Sequence, residues 1–342
     1  MATTVGYQPD GTIIGLSCPA NNLETLNDHT LKTVLITGGT GLVGASLTRL
    51  LLKRGFLVII LTRDPERAMD SSVFGTQVSY AAWDVNAQTI DVEAVQKADF
   101  IAHLAGAGVV DKRWTEAYKK EIIDSRVNST KLLLNTLSNN PHHVTAFVSS
   151  SAIGWYGPDT EQSLKTGFTE DAPADSHFLG ETCRLWEESS LPLEQMGIRR
   201  VCLRTGIVLS AKGGAFVEFK KPLKFGVAAI LGNGEQVVSW ISNYDLCLMF
   251  EYAFENEQMQ GVYNAVAPNP VTNKKLTLTI AKAIKDHWFI AIKVPSFVLK
   301  IMMGESSVEV LKSATVSSKK IEMAGFHFRL PTIEEAIEKL VK

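Results

Sequence analysis

Val34-Leu35-Ile36-Thr37-Gly38-Gly39-Thr40-Gly41-Leu42-Val43-Gly44 is a β-branched run that breaks into glycines at 38, 41 and 44 and continues into the apolar-periodic residues 45–52. The order reads as strand, tight turn, helix. Glycine is required where a chain turns with positive φ, where backbone must approach a phosphate, and where a helix packs closely on the strand before it. The N–H groups that open the helix then face an anion. A glycine-rich turn alone has the same composition, but the flanking strand and helix favour a dinucleotide site. Gly38, Thr40, Gly41, Leu42, Val43 and Gly44 are the residues expected to hold its pyrophosphate.

The end of the next strand bears on which dinucleotide. Residues 57–61 form an unbroken apolar run, as expected for a parallel strand buried on both faces, and the run stops at Thr62-Arg63-Asp64. A carboxylate at this place accepts the ribose 2′-OH of NAD, whereas an arginine suits the 2′-phosphate of NADP. Thr62-Arg63 favours NADP, with Arg63 offering a fork of donors and Thr62 a hydroxyl. Asp64 is the competing acceptor for a ribose.

Working outward, residues 100–104 and 147–150 read as strands, 130–137 as helix, and 201–203 as the start of another strand after an amphipathic stretch over 183–194. Strand alternating with helix specifies an α/β fold, a Rossmann-type doubly wound parallel sheet with ligands at the strand C-termini. Beyond Leu209 the glycines at 213, 214, 226, 232 and 234 break the pattern, so a smaller C-terminal substrate lobe is expected there. The division anticipated is an N-terminal extension over 1–31, a dinucleotide domain over 32–210 with 237–266 returning to it, and a lobe built from 211–236 and 267–342.

The chain has 342 residues, 45% hydrophobic and 20% charged, with a formal net charge of −2, which gives no electrostatic footprint for nucleic acid or anionic membrane, so neither is expected as a partner. Four dispersed cysteines without a Cys-x-x-Cys argue for reduced thiols in a cytoplasmic protein and against a metal site. His142-His143 follows Pro141 in a polar turn and reads as surface loop. Residues 1–31 lack both the basic start and the apolar core of a secretory signal, and no window reaches the length of a membrane span.

Leu104-Ala105-Gly106, Lys112-Arg113-Trp114, Glu121 with Ser125-Arg126, residues 149–158, Trp186-Glu187, residues 204–209, Trp240-Ile241 ahead of Asp245-Leu246, and residues 264–268 together carry a resemblance. The chain resembles the atypical, extended short-chain dehydrogenases/reductases, within the epimerase/dehydratase-like family whose members are labelled nucleoside-diphosphate-sugar epimerase or cell-division inhibitor. Its tail, from Val294-Pro295-Ser296 to Pro331-Thr332, is similar to that family's own C-terminal domain of unknown function. The resemblance implies NADP held at Thr62, Arg63, Leu104, Ala105, Glu121, Arg126 and Val208 besides the glycine loop. Arg126 stands where ordinary extended members have asparagine.

Ordinary members also use a serine together with a Tyr-x-x-x-Lys pair, in which lysine lowers the tyrosine pKa from about 10 for proton transfer. Ser151, in Ser149-Ser150-Ser151-Ala152, matches the serine. The pair is missing: alignment on Trp186-Glu187 puts Leu179 and Cys183 in its place, an offset of one puts Phe178 and Thr182 there, and none of the seven tyrosines has lysine four residues on. Tyr156 is the substitute donor that the sequence nominates, with a packed aromatic as the competing role. Lys112-Arg113-Trp114 and Lys220-Lys221 are candidates for an anionic substrate, and Trp240 and Phe216 for stacking on a planar ring. Two functions stand open: an NADP-dependent oxidoreductase or epimerase acting on a small substrate, and a non-catalytic NADP(H)-sensing protein. The helix over 116–137 resembles one through which extended members dimerise, so a homodimer is an expectation.

Overall fold

The computed structural model describes residues 32–342 as one compact unit. In the segment before it, the structure describes only two short strands, Gly6–Tyr7 and Ile13–Ile14, paired antiparallel. The remainder of the N-terminal extension expected over 1–31 lies outside the described residues.

The main sheet contains β1 (Thr33–Thr37), β2 (Leu57–Thr62), β3 (Val78–Asp84), β4 (Thr89–Ile90), β5 (Phe100–His103), β6 (Ala146–Ala152), β7 (Arg199–Thr205) and β8 (Gly261–Ala265). Their spatial order is β8-β7-β6-β5-β1-β2-β3-β4, parallel throughout except for the antiparallel β4. The chain leaves β1 toward β2 and later comes back to β1's other side as β5. Strand order reverses there, the place at which an open α/β sheet offers a ligand crevice beyond the C-terminal ends of its strands.

Eight helices of the unit matter below: α1 (Leu42–Lys53), α2 (Glu116–Asn139), α3 (Phe178–Ser189), α4 (Ala215–Leu223), α5 (Asn243–Glu255), α6 (Asn273–Lys285), α7 (Ser296–Met303) and α8 (Ile333–Val341). The pleat of β1 divides its side chains between two cores, as a strand covered on both faces must. Val34 and Ile36 pack with Leu47 and Leu51 of α1 and Phe250 of α5. Leu35 points the other way, into a cluster with Leu133 and Leu137 of α2 and Phe147 of β6.

A third core builds the C-terminal lobe from Phe216 and Leu223 of α4, Leu276 and Ile280 of α6, and Ile333 and Ile337 of α8. Trp240 and Phe216 both lie fully buried in it. That corrects the expectation that they stack on a ligand: their rings fill the lobe, and the Trp240 indole donates to the Asn269 carbonyl at 3.0 Å. The lobe's tail is fastened to the main unit by the fully buried Asp245, whose carboxylate accepts Ser242 Oγ at 2.8 Å and the N–H groups of Arg329 and Leu330 at 2.8 and 3.1 Å.

Charge-assisted hydrogen bonds to a buried carboxylate are worth roughly 1.5–3 kcal/mol each, and their donors are stranded when it is removed. Asp245→Ala is therefore expected to lose about 3 kcal/mol or more, read as a lowered urea midpoint at an unchanged slope.

Candidate functional site

The glycine loop closes on itself at the β1 end of the crevice. Gly38 has φ +68°, and a Cβ there would stand 2.9 Å from the carbonyl carbon of Leu104. A Cβ on Gly44 would meet the Gly38 carbonyl oxygen at 2.2 Å, so the first turn of α1 lies directly on the turn preceding it. Gly41, the N-cap, carries no side chain to accept the N–H groups of that first turn. Those donors and the positive helix end are what a pyrophosphate needs. A dinucleotide phosphate group fits the loop.

A hydroxyl holds the two halves of the crevice together. Thr37 Oγ1 accepts the N–H of Leu104 and of Ala105, both at 3.1 Å, and is 2.8 Å from His103 Nδ1. Ser129 and Thr130 of α2 each give their hydrogen to the Arg126 carbonyl, at 2.9 and 2.8 Å, so toward His103 Nε2 they present lone pairs at 3.2 Å. The imidazole is thus neutral, with its hydrogen on Nε2, and Nδ1 accepts from Thr37. Burial, reinforced by the Arg126 charge, pushes His103 down to about 3.

At the end of β2 the Asp64 carboxylate caps the short helix Pro65–Asp70, accepting Arg67 N–H at 3.0 Å. Arg63 is exposed and has no ion-pair partner among the described residues. Beyond β3 lies a cleft of about 350 Å³ lined by Val85, Asn86, Ala117, Glu121, Ser125 and Asn128. Val85 and Asn86 were not anticipated; the alternation of Val78-Ser79-Tyr80-Ala81-Ala82-Trp83 was the available signal for the strand that delivers them. Glu121 faces this cleft and pairs with Lys112 at 3.3 Å. A larger cleft, about 510 Å³, sits between α6 and α8 and is lined by no residue of the glycine loop.

Arg126 is buried from α2, its guanidinium 4.8 Å from the Trp186 ring and its NH1 donating to the carbonyls of Ala107 and Ile122 at 3.0 and 2.9 Å. A Cβ on Gly106 would come within 3.1 Å of the guanidinium carbon, so this loop passes directly over Arg126. Val208 lies in the short strand Ile207–Ser210, whose partner turn at Gly213-Gly214 reaches Leu42 of the glycine loop. A Cβ on either glycine would be 3.4 Å from a Leu42 methyl.

Ser151 and Tyr156 fall in one buried polar chain. Ser151 Oγ donates to Glu187 Oε1 at 2.6 Å, and Arg204 grips both Glu187 oxygens at 2.8 and 2.9 Å. Arg204 NH1 also donates to the Tyr156 hydroxyl at 3.0 Å, which in turn donates to Asn264 Oδ1 at 2.7 Å. Tyr156 is stacked on Phe168 with its ring centroid 5.0 Å away, and burial pushes its hydroxyl up to about 12. The phenol is enclosed and hydrogen-bonded on both sides, the setting of the packed aromatic that was its competing role.

The helix face opposite that turn holds Leu179 and Cys183, with burial raising the Cys183 thiol to about 12. Lys112-Arg113-Trp114 is engaged by α2, α7 and its own loop rather than left free for an anion. Lys112 pairs with Glu121, Arg113 NH2 donates to the carbonyls of Ile301 and Met302 at 2.8 and 3.2 Å, and the Trp114 indole donates to Val109. Lys221 is likewise paired with Glu218.

His103 is neutral in the fold and has an ordinary value near 6.5 when unfolded, so it contributes stability fully above about pH 6.5 and loses it as pH falls toward about 3. Stability is expected to fall by about 1.4 kcal/mol per pH unit across that window from this group. His103→Asn should flatten the slope of unfolding free energy against pH between about 6 and 4 by close to one proton. An unchanged slope would remove His103 from that role.

Residues 34–265 match the model of the NAD dependent epimerase/dehydratase family, and residues 294–340 match a domain of unknown function, DUF1731. The epimerase family protein YfhF of Bacillus subtilis is 34% identical over 310 residues, which is 90% of this chain and 97% of that protein. The human epimerase family protein SDR39U1, solved with NADPH, superposes with a TM-score of 0.78 at 28% identity, over 90% of this chain and 99% of the other. A nucleoside-diphosphate sugar epimerase from Corynebacterium glutamicum gives 0.71 at 30% identity, over 91% of this chain and 58% of that larger one. With residues 34–265 matching its model and a relative 34% identical over 90% of its length, the chain belongs to the NAD dependent epimerase/dehydratase family.

Proposed function

We propose that this protein binds NADP(H) in the crevice and acts as an oxidoreductase or epimerase on a small substrate bearing a hydroxyl or carbonyl, nucleotide sugars included. The observation that carries the cofactor choice is the division of labour at the end of β2. Asp64 is occupied by its helix cap, and Arg63 is left with its donors free. A free carboxylate would repel a 2′-phosphate, whereas a free guanidinium binds it through paired hydrogen bonds. The NADPH of the human relative's structure supports the same choice.

Bound nicotinamide supplies hydride exchange with a carbinol or carbonyl carbon. The protein's part is to orient the substrate and move the proton. Ser151 gives its only hydrogen to Glu187, so what it can offer a substrate is its lone pairs. In that state it accepts a hydrogen bond from a substrate hydroxyl, and the proton of an alcohol under oxidation can pass to Ser151 as the serine proton passes to Glu187. The arrangement suits the oxidative direction, which is also the first half of an epimerisation.

A second reading, a protein that senses NADP(H) without turnover, is favoured by the closure of the Ser151–Tyr156 network and by the absence of any tyrosine–lysine pair on α3. The two separate in a screen of alcohols, carbonyl compounds and nucleotide sugars, following NADPH absorbance and product stereochemistry. Ser151→Ala is expected to keep NADPH binding and lower turnover by about 100-fold or more. Turnover unchanged by that variant would return Ser151 to a purely structural role, and tight NADPH binding with no turnover across the screen would establish the sensing reading.

Arg63→Ala should weaken NADPH by roughly 1.5–3 kcal/mol, tenfold or more, while barely changing NADH. Equal affinities of the wild type for the two cofactors would refute the choice. Tyr156→Phe leaves Asn264 Oδ1 without its donor and should cost about 1–3 kcal/mol of stability, seen in a thermal melt, with turnover per folded molecule preserved.

A further inference from the structure

Two short strands of the C-terminal lobe, Val227–Leu231 and Ile290–Val294, pair parallel with Val227 opposite Ile290, Ala229 opposite Ile292 and Leu231 opposite Val294. Ala228 and Ile230 turn inward and are buried. The other face of the ribbon is made of Val227, Ala229, Leu231, Ile290, Ile292 and Val294, because alternate residues of paired strands share a face. On that face Ile290 is 71% and Ile292 47% exposed. Phe225 and Trp288 each stand two residues ahead of these paired strand starts, so the register sets them side by side at one end, joined by the hydrogen bond from Ile290 N–H to the Gly226 carbonyl at 2.8 Å. Phe225 is 86% and Trp288 85% exposed. The chain then enters α7, where Phe297 and Ile301, four apart and therefore on one side of the helix, are also exposed.

The charge around this surface is one-sided. Residues 218–231 and 282–303 carry seven lysines against two acidic residues, Glu218 and Asp286, and Glu218 is spent on Lys221, in a chain whose formal net charge is −2. Lys224 adjoins Phe225 and Lys300 lies between Phe297 and Ile301. Among the described residues Lys224, Lys285, Lys293 and Lys300 make no ion pair. A whole-chain charge conceals this local asymmetry, which is why overall composition gave no reason to expect it.

We propose that this surface seats the protein on an anionic lipid bilayer as a peripheral contact, Phe225 and Trp288 entering the headgroup region with the isoleucines behind them and the lysines facing lipid phosphates. Fully exposed aromatic rings ahead of an aliphatic face, flanked by unpaired lysines, match the interfacial zone of a bilayer, where ring, alkyl and ammonium each find a partner. A second copy of this chain fits poorly, since a two-fold contact would set lysines against lysines. Nucleic acid offers phosphates but nothing for the isoleucines. The contact is interfacial, because no helix among the described residues is long and apolar enough to cross a membrane.

The test is vesicle co-sedimentation of the full chain, comparing phosphatidylcholine vesicles with ones containing about 30% phosphatidylglycerol, at low salt and at about 0.5 M salt. Expected are partitioning at least about tenfold stronger into the anionic vesicles, its loss in high salt, and a drop of about tenfold or more in Phe225→Ser/Trp288→Ser at an unchanged melting temperature. Should that variant not fold, Lys224→Glu/Lys300→Glu is read in its place and must also weaken binding. Absence of sedimentation with anionic vesicles overturns the proposal, as does binding indifferent to these substitutions. Dimerisation of the wild type that the aromatic variant abolishes, with neither binding vesicles, overturns it in favour of a second copy.

Discussion

One hydroxyl sets the geometry on which the site depends. Thr37 ends the central strand, and its Oγ1 draws in the backbone N–H groups of Leu104 and Ala105 while its hydrogen goes to the buried His103. The ends of two paired strands are thereby tied at the root of the crevice, and helix α2 is tied to β5 through Ser129 and Thr130. The tie requires a neutral imidazole, because a protonated ring would offer Thr37 a donor where it needs an acceptor. Gly38 can then press against Leu104 with no Cβ between them, and the glycine loop inherits its position from that contact.

The interior between the end of β6 and α3 divides into an apolar and a polar part. Leu179 and Cys183 of α3 pack near Gly154, and the polarity is gathered into Ser151, Glu187, Arg204, Tyr156 and Asn264. A buried ion pair needs further hydrogen bonds on each partner to offset its desolvation, and this one has them: serine on the carboxylate, tyrosine and the Glu170 carbonyl on the guanidinium. The Arg204 guanidinium also lies 3.6 Å from the centre of the Trp155 ring. Such a network fixes the angle at which the strand-end turn meets α3.

Much of this was legible in sequence where local chemistry and fold agree. The glycines at 38, 41 and 44 announced a strand–turn–helix because backbone conformation leaves few alternatives, and continuous apolar runs announced strands covered on both faces. What escaped was set by tertiary contact. Nothing local distinguishes the buried Trp240 and Phe216 from aromatics that stack on ligands; only the packing of α4, α6 and α8 decides it. Tyr156 read as a donor because it follows Ser151 closely, yet its hydroxyl is claimed by Arg204 and Asn264, which lie 48 and 108 residues away in sequence. Asp64 caps a helix through one carboxylate oxygen, a structural role that its place at a strand end did not announce. The strand over 78–84 lacks the unbroken apolar run of its neighbours, since it lies near the sheet edge and exposes every second or third side chain.

The contact of Gly213-Gly214 with Leu42 joins the lobe to the phosphate loop through a single side chain. Leu42 opens α1, so a side chain added at either glycine would bear on the first turn of the helix whose N–H groups face an anion. The absence of side chains at 213 and 214 thus keeps the anion-binding end of α1 clear of the lobe, and bulk there would be read first as a change at the phosphate loop rather than within the lobe itself.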